Sequence, residues 1–290
     1  MGSGDPPVFF WLSNETIVSI FTFMGGYVDA VSFMKLFGIF TTMVTGNIIA
    51  ASTTGFREGD ESAIVRVLIT VVFAAGIFTS TSLYLIMRHI IKINRWSIGI
   101  VLFSCEAVAL AIATIVGVYL EYKASGFPHV GSWQVLLIAG LLSWAMGIHS
   151  AATQDVIPNC PSTTMMTMNI AKTTMLAAST FQYYLTWKGM YLYDGMDSPH
   201  ILAKLTESKK YLVERVEQIL IFVSGVIAGA VLAKHIGFFS IALPTMLVVA
   251  TVVNIKVSQI ENFKLQALQK ESGAVNPVVT DTTEAGSSCG

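Results

Sequence analysis

The sequence predicts an all-α, polytopic transmembrane helix bundle, and three observations predict it. Hydrophobic residues make up 53% of the chain and charged residues only 12%, about half the roughly 25% charge of a soluble domain. Mean hydropathy is +0.66. The charges fall between apolar runs long enough to cross a hydrocarbon core of about 30 Å, which takes about 20 helical residues. This composition excludes a soluble enzyme core, a disordered chain and a disulfide scaffold. The 3 cysteines (Cys105, Cys160 and Cys289) are an odd number and match no pairing or metal spacing. A net charge of −1 makes no case for nucleic acid as a partner. The lipid bilayer is the partner the composition implies, and homo-oligomerisation stays open.

The elements follow in chain order. Residues 1–11 form an N-terminal tail without the basic region of a cleavable signal, so the first apolar helix is expected to be retained. A transmembrane domain is expected over 12–258. Its six firm spans lie at about 16–36, 63–87, 97–120, 133–154, 213–233 and 236–255. Two further stretches, 38–55 and 162–185, are long enough but rich in Thr, with Asn inside. Polar groups at membrane depth are tolerated where they are buried or line water, so both read as polar central helices. The connector 158–161 carries two prolines, each of which disfavours helix before it. The longest connector, 186–212, mixes acids and lysines and is expected to hold a surface helix. The basic loop 88–95 points to the cytoplasm. If all eight stretches cross, however, the basic connector 186–212 falls on the opposite face, so six or eight crossings and the orientation stay open. Residues 259–290 read as a C-terminal tail, mostly disordered.

The two polar stretches match one another. Thr41-Thr42-Met43-Val44-Thr45-Gly46-Asn47-Ile48 aligns with Thr163-Thr164-Met165-Met166-Thr167-Met168-Asn169-Ile170, 122 residues later, with six of eight positions identical. The same shift places Met24-Gly25 on Met146-Gly147, and a shift of 149 places Phe73 and Gly76 on Phe222 and Gly225. The chain therefore reads as two homologous repeats, 12–120 and 133–256. Such repeats are the usual plan of secondary transporters, whose site lies at the repeat interface. Four crossings per half would make them parallel; three crossings plus a broken element would make them inverted.

The segment Gly26-Tyr27-Val28-Asp29-Ala30, followed by Phe40 and by Met43-Val44-Thr45-Gly46-Asn47, resembles the signature of the YoaK-like integral membrane proteins, a family defined by a domain of unknown function. In the second half, Ala145-Met146-Gly147 followed by Gln154 is similar to the family's Gly-x-Gln element, with the Gln displaced. Thr167-Met168-Asn169 stands for its second Thr-Gly element, with the Gly replaced. The resemblance covers about 16–256. It implies an integral membrane protein with transport activity, and it supplies no substrate.

Candidate residues follow from cost. A carboxylate at membrane depth costs at least about 2.5–3.5 kcal/mol, so Asp29 must be paired, protonated or wet. It reads as a coupling or ligand-binding acid, or as a structural acceptor for Thr hydroxyls. Lys172 breaks the repeat, standing where the first half has Ala50, and wants a carboxylate such as Asp29, Asp155 or Glu106. Asn169 and Thr173 share its face. Asn47 and Asn169 are expected to face each other across the repeat axis. Thr41/Thr45 and Thr163/Thr167 read as hydroxyl stripes that, with Gln154, line a path or bond helices together. Glu106, Asp155 and Lys172 join Asp29 as coupling candidates, and His149 lies beside them. No enzymatic, metal or cofactor motif occurs. The expected function is passage of a small polar solute or ion. A non-transporting membrane scaffold or assembly factor is the first rival, and an intramembrane enzyme built on His149, Asp155 and Glu106 the second.

Overall fold

The computed structural model describes residues 12–55, 60–123, 129–157, 166–188 and 198–271, and among them all regular structure is helical. Helix α1 spans Asn14–Lys35, α2 Val44–Gly55, α3 Asp60–Leu85, α4 Arg95–Lys123, α5 Trp133–Val156, α6 Met166–Trp187, α7 Ser198–Ile236 and α8 Ala242–Glu271. A π-helical turn, Ile86–Ile90, extends α3, and a 3-10 turn, Gly237–Ile241, joins α7 to α8.

Local chemistry sets the ends. Ser13 caps α1 by accepting from the Thr16 N–H at 3.1 Å, and Ser132 caps α5 by accepting from Val135. Both satisfy an N–H that the first turn would otherwise leave orphaned. Helix α1 stops where Phe37 and Gly38 take φ of 54° and 72°, a left-handed pair that no helix continues through. Gly237, at φ 62°, turns the chain between α7 and α8. A side chain there would collide with the Glu121 carboxylate.

Among the described residues, five helical stretches are long and apolar enough to cross a membrane: Asn14–Lys35, Glu61–Ile90, Arg95–Lys123, Trp133–Val156 and the 62-residue His200–Glu261. The last contains both α7 and α8, so the two final spans expected separately run through one short turn. Three sequence expectations change. The stretch 38–55 does not form one long helix: its first part is a turn, and α2 has only 12 residues, about 18 Å at 1.5 Å each. The connector's end is absorbed into α7, a continuous helix of 39 residues, because lysines and acids on its exposed faces do not interrupt helix. Helix α8 likewise runs on to Glu271, into the segment expected as tail. Residues 1–11, 158–165, 189–197 and 272–290 lie outside the described residues, and with them the 158–161 break, Cys160 and Cys289.

Helices α1 and α5 are the most buried of the crossing stretches and α3 the least. The most extensive packing joins α1 to α7 and α3 to α5; α4 packs on α5 and α8, α2 on α3, and α6 on α7. Apolar burial drives little between helices in lipid, where tails are as apolar as leucine, so close backbone approach through small residues carries the contact. Both main crossings use it. A Cβ on Gly26 would meet the Phe222 carbonyl, and one on Gly225 the Phe23 carbonyl. A Cβ on Gly147 would meet the Phe73 carbonyl, and one on Gly76 the Trp144 carbonyl. Gly26, the neighbour of the Gly25 expected from the alignment, is the residue at the first crossing. Gly225→Val will force α1 and α7 apart, since the obstacle is backbone. Overpacking costs about 1–3 kcal/mol where side chains can yield, so a loss above that range is expected in thermal unfolding of detergent-purified protein.

Candidate functional site

Two buried polar clusters stand inside the bundle. The first closes the turn between α1 and α2. Asp29, 3% exposed, sits on α1 nearly two turns before that helix ends at Lys35. Its Oδ1 accepts from the Thr41 N–H at 2.8 Å, the Thr41 hydroxyl at 2.9 Å and the Thr42 N–H at 2.8 Å. Its Oδ2 accepts from the Thr42 hydroxyl. Four donors and no acceptor face the group, which is what an acceptor-only carboxylate needs.

Asn47, from the first turn of α2, reaches back to the same segment. Its Oδ1 accepts from the Phe40 N–H at 2.9 Å and its Nδ2 donates to the Phe40 carbonyl at 2.6 Å. From α3, Arg66 donates to the carbonyls of Phe37 and Gly38 at 2.9 and 2.7 Å. Three helices thus each send one side chain to satisfy the non-helical backbone of 37–42. Leu36, Ile39, Thr41 and Thr42 are buried there. Irregular backbone at this depth would otherwise carry orphaned peptide groups. Beside the cradle, between α1 and α7, lies a cavity of about 240 Å³ lined by Asp29, Phe33, Phe40, Phe222 and Val226.

The second cluster is a buried acid–imidazole pair. Glu106 of α4 and His149 of α5 are both 0% exposed, with Oε1 and Nδ1 2.9 Å apart. Phe21 of α1 sets its ring edge-on to the imidazole at 4.9 Å between centroids, and Phe21 packs at 4.9 Å on Phe103. Among the described residues, Glu106 Oε2 and His149 Nε2 have no hydrogen-bond partner.

The remaining sequence candidates disperse. Thr45 is exposed, and Thr41 lies ahead of α2, so the two form no stripe on one helix. Lys172 is exposed on α6; α6 packs on α7, and Asp29 takes its bonds from Thr41 and Thr42, so the expected Asp29–Lys172 pair does not form. Asn169 is 6% exposed, and its carbonyl accepts from the Thr173 hydroxyl at 2.7 Å. Helix α6 turns its polar stripe inward: Asn169, Thr173, Thr180 and Thr186 are buried while Met175, Phe181 and Trp187 are exposed. Thr180 meets the Ser208 hydroxyl of α7 at 2.5 Å. Because α2 sits on α3 and α6 on α7, Asn47 and Asn169 belong to separate helix pairs rather than to one facing pair. Gln154 is exposed and donates to the Ser150 carbonyl at 2.9 Å. Asp155 accepts from Thr81 at 3.2 Å and does not join Glu106 and His149. Thr163 and the side chain of Thr167 lie outside the described residues.

The sequence did not single out Thr42 or Arg66 as partners, and it grouped Glu106 and His149 only in a trio with Asp155, of which the structure joins the first two. The doubled Thr41-Thr42 was a usable signal for Thr42. Nothing local signals the Glu106–His149 pair, since the two residues stand on different helices.

Crossing helices packed through glycine, with charged groups enclosed at their centre, define a multi-pass helical membrane protein. A family model described as "Protein of unknown function (DUF1275)" matches residues 17–254, and the protein belongs to that family. No curated protein and no solved structure matches the chain.

Proposed function

We propose that this protein passes a small polar solute or ion across the membrane, along the junction of two inverted repeats. The observation that carries the reading is the buried non-helical segment 37–42, held by Asp29, Asn47 and Arg66 beside a helix of 12 residues. Broken helices held by buried polar groups near the repeat interface are the plan of secondary transporters. An α2 of about 18 Å falls short of a 30 Å core. Each half then has three crossings and one shorter or polar element, α2 or α6, which is the parity of inversion, with α7 and α8 crossing separately.

The helix crossings support the same reading. Gly26 and Phe23 meet Phe222 and Gly225 as Gly147 and Trp144 meet Phe73 and Gly76. Each first helix therefore inserts against the third helix of the other half. In this register the first helices correspond at 121 residues, one fewer than the Thr/Asn motifs, and Asp29 answers to Ser150. Kinship with the YoaK-like proteins belongs to this reading and rests on the Gly26–Asn47 motif.

The test is flux. Purified protein in phosphatidylcholine vesicles, loaded in turn with monovalent ions, amino acids and polyols, is expected to release at least one class faster than protein-free vesicles do. Asp29→Asn, which keeps an acceptor for the turn, is expected to slow that release. If Asp29→Asn leaves release unchanged, the site assignment is wrong. If no solute moves, the scaffold reading stands instead. One observation favours that second reading: the cavities between α1 and α7 and between α4 and α5 are walled chiefly by apolar side chains.

A further inference from the structure

Among the described residues, Glu106 and His149 form a fully buried pair that satisfies only half of each partner. Oε1 and Nδ1 meet at 2.9 Å, while Oε2 and Nε2 are buried and bare. No proton arrangement within the pair removes both orphans. If Nδ1–H donates to the carboxylate, Nε2 remains a bare acceptor; if Nε2 is protonated, it is a bare donor. Orphans of this kind in a native core call for a function or a guest.

We propose that Glu106 and His149 form a proton-binding site. The pair holds one transferable proton while α4 and α5 are packed, and it gives that proton up when the seam opens. With the proton bound the pair is carboxylate and imidazolium, neutral overall. Release passes the Nε2 proton to water and leaves a carboxylate beside neutral imidazole, a net anion; uptake from water reverses the step. A net charge enclosed among Phe21 and Phe103 is strongly disfavoured by desolvation, so release requires water to enter and the helices to part. A cavity of about 310 Å³ on the same seam, lined by Cys105, Val108, Leu141 and Trp144, leaves room for that movement.

The groups on surrounding elements are committed elsewhere. On α1, Asp29 is held by Thr41 and Thr42, Tyr27 donates to the Ser240 carbonyl, Lys35 pairs with Glu121, and Glu15 is exposed. On α3, Arg66 bonds the Phe37 and Gly38 carbonyls, Glu61 is exposed and Tyr84 half-buried; in the π-helical turn Arg88 is half-buried and His89 exposed. On α5, Asp155 bonds Thr81. Lys256, Glu261 and Lys264 of α8 are exposed. Along α4, Arg95 lies over the Trp96 ring, Lys123 over the Tyr119 ring, and Tyr122 is exposed. None of these supplies a third charge to the pair. The site stands on its own geometry; as the coupling-ion site of a transporter, it rests on the reading above.

The composition of the chain makes a direct test available. Of its 5 histidines, His89, His129, His200 and His235 are exposed and His149 alone is buried. A variant carrying His89→Gln, His129→Gln, His200→Gln and His235→Gln keeps one imidazole, which ¹⁵N-histidine NMR reads in phosphatidylcholine vesicles. Between about pH 9 and pH 5, the range in which imidazole charge changes, a second set of signals with both nitrogens protonated is expected to grow. Glu106→Gln is expected to abolish it. One unchanged set across the range overturns the proposal, and so does a second set that survives Glu106→Gln, since the histidine then titrates alone. If the quadruple variant does not fold, subtracting a His149→Gln spectrum from the parent spectrum isolates the same signals. Solute flux plays no part in this experiment, so a silent His149 ends the proton site and leaves the transport reading to its own test.

Discussion

Asp29→Ala will collapse the turn between α1 and α2 and strongly destabilise the protein. The carboxylate satisfies two backbone N–H groups and two hydroxyls of Thr41 and Thr42. The hydroxyls can rotate to other acceptors, but the two N–H groups are fixed. Each buried orphan costs about 1–3 kcal/mol, and bonds to a charged acceptor are the stronger kind. A loss of at least about 3 kcal/mol is expected in thermal unfolding, together with new protease cleavage within 36–43. Asp29→Asn is expected to retain most of the stability, because one amide oxygen can still accept from both N–H groups. Equal losses for Ala and Asn would show that charge, rather than acceptor geometry, holds the turn.

Glu106→Ala is expected to be the second costly change, at about 3–5 kcal/mol, because it strands the imidazole in an apolar core. Breaking one side of a buried pair is far worse than removing both. The double replacement Glu106→Met with His149→Leu is therefore expected to recover most of that loss, or to exceed the parent's melting temperature. The coupling between the two sites, read from a double-mutant cycle, is the decisive quantity. Additive losses would mean that the two side chains do not act on each other.

These two predictions mark the boundary between what was legible and what was not. Asp29 was legible because a carboxylate in an apolar run just after Gly25-Gly26 is too costly to be incidental, and the doubled threonine follows beyond the end of that helix. Asn47 was legible as buried, yet its role was misread. It was expected to face Asn169 across the repeat axis, whereas the left-handed pair Phe37 and Gly38 ends α1 and Asn47 clamps the turn that follows. Lys172 misled for a related reason: its cost was estimated as though α6 were central, and α6 lies on the outside of α7.

From the sequence alone follow the class of protein, the order of its helices though not the extent of α2, α7 and α8, and the duplicated Thr/Asn motif, because hydropathy and the 20-residue membrane span act locally along the chain. The tertiary structure alone decided which helices touch. Gly26 meets Phe222 where the backbones of α1 and α7 approach through glycine, and Glu106 meets His149 where α4 packs on α5; neither contact leaves a periodic trace in its segments. Thus the sequence announced a charged interior, while packing chose which two groups would share it.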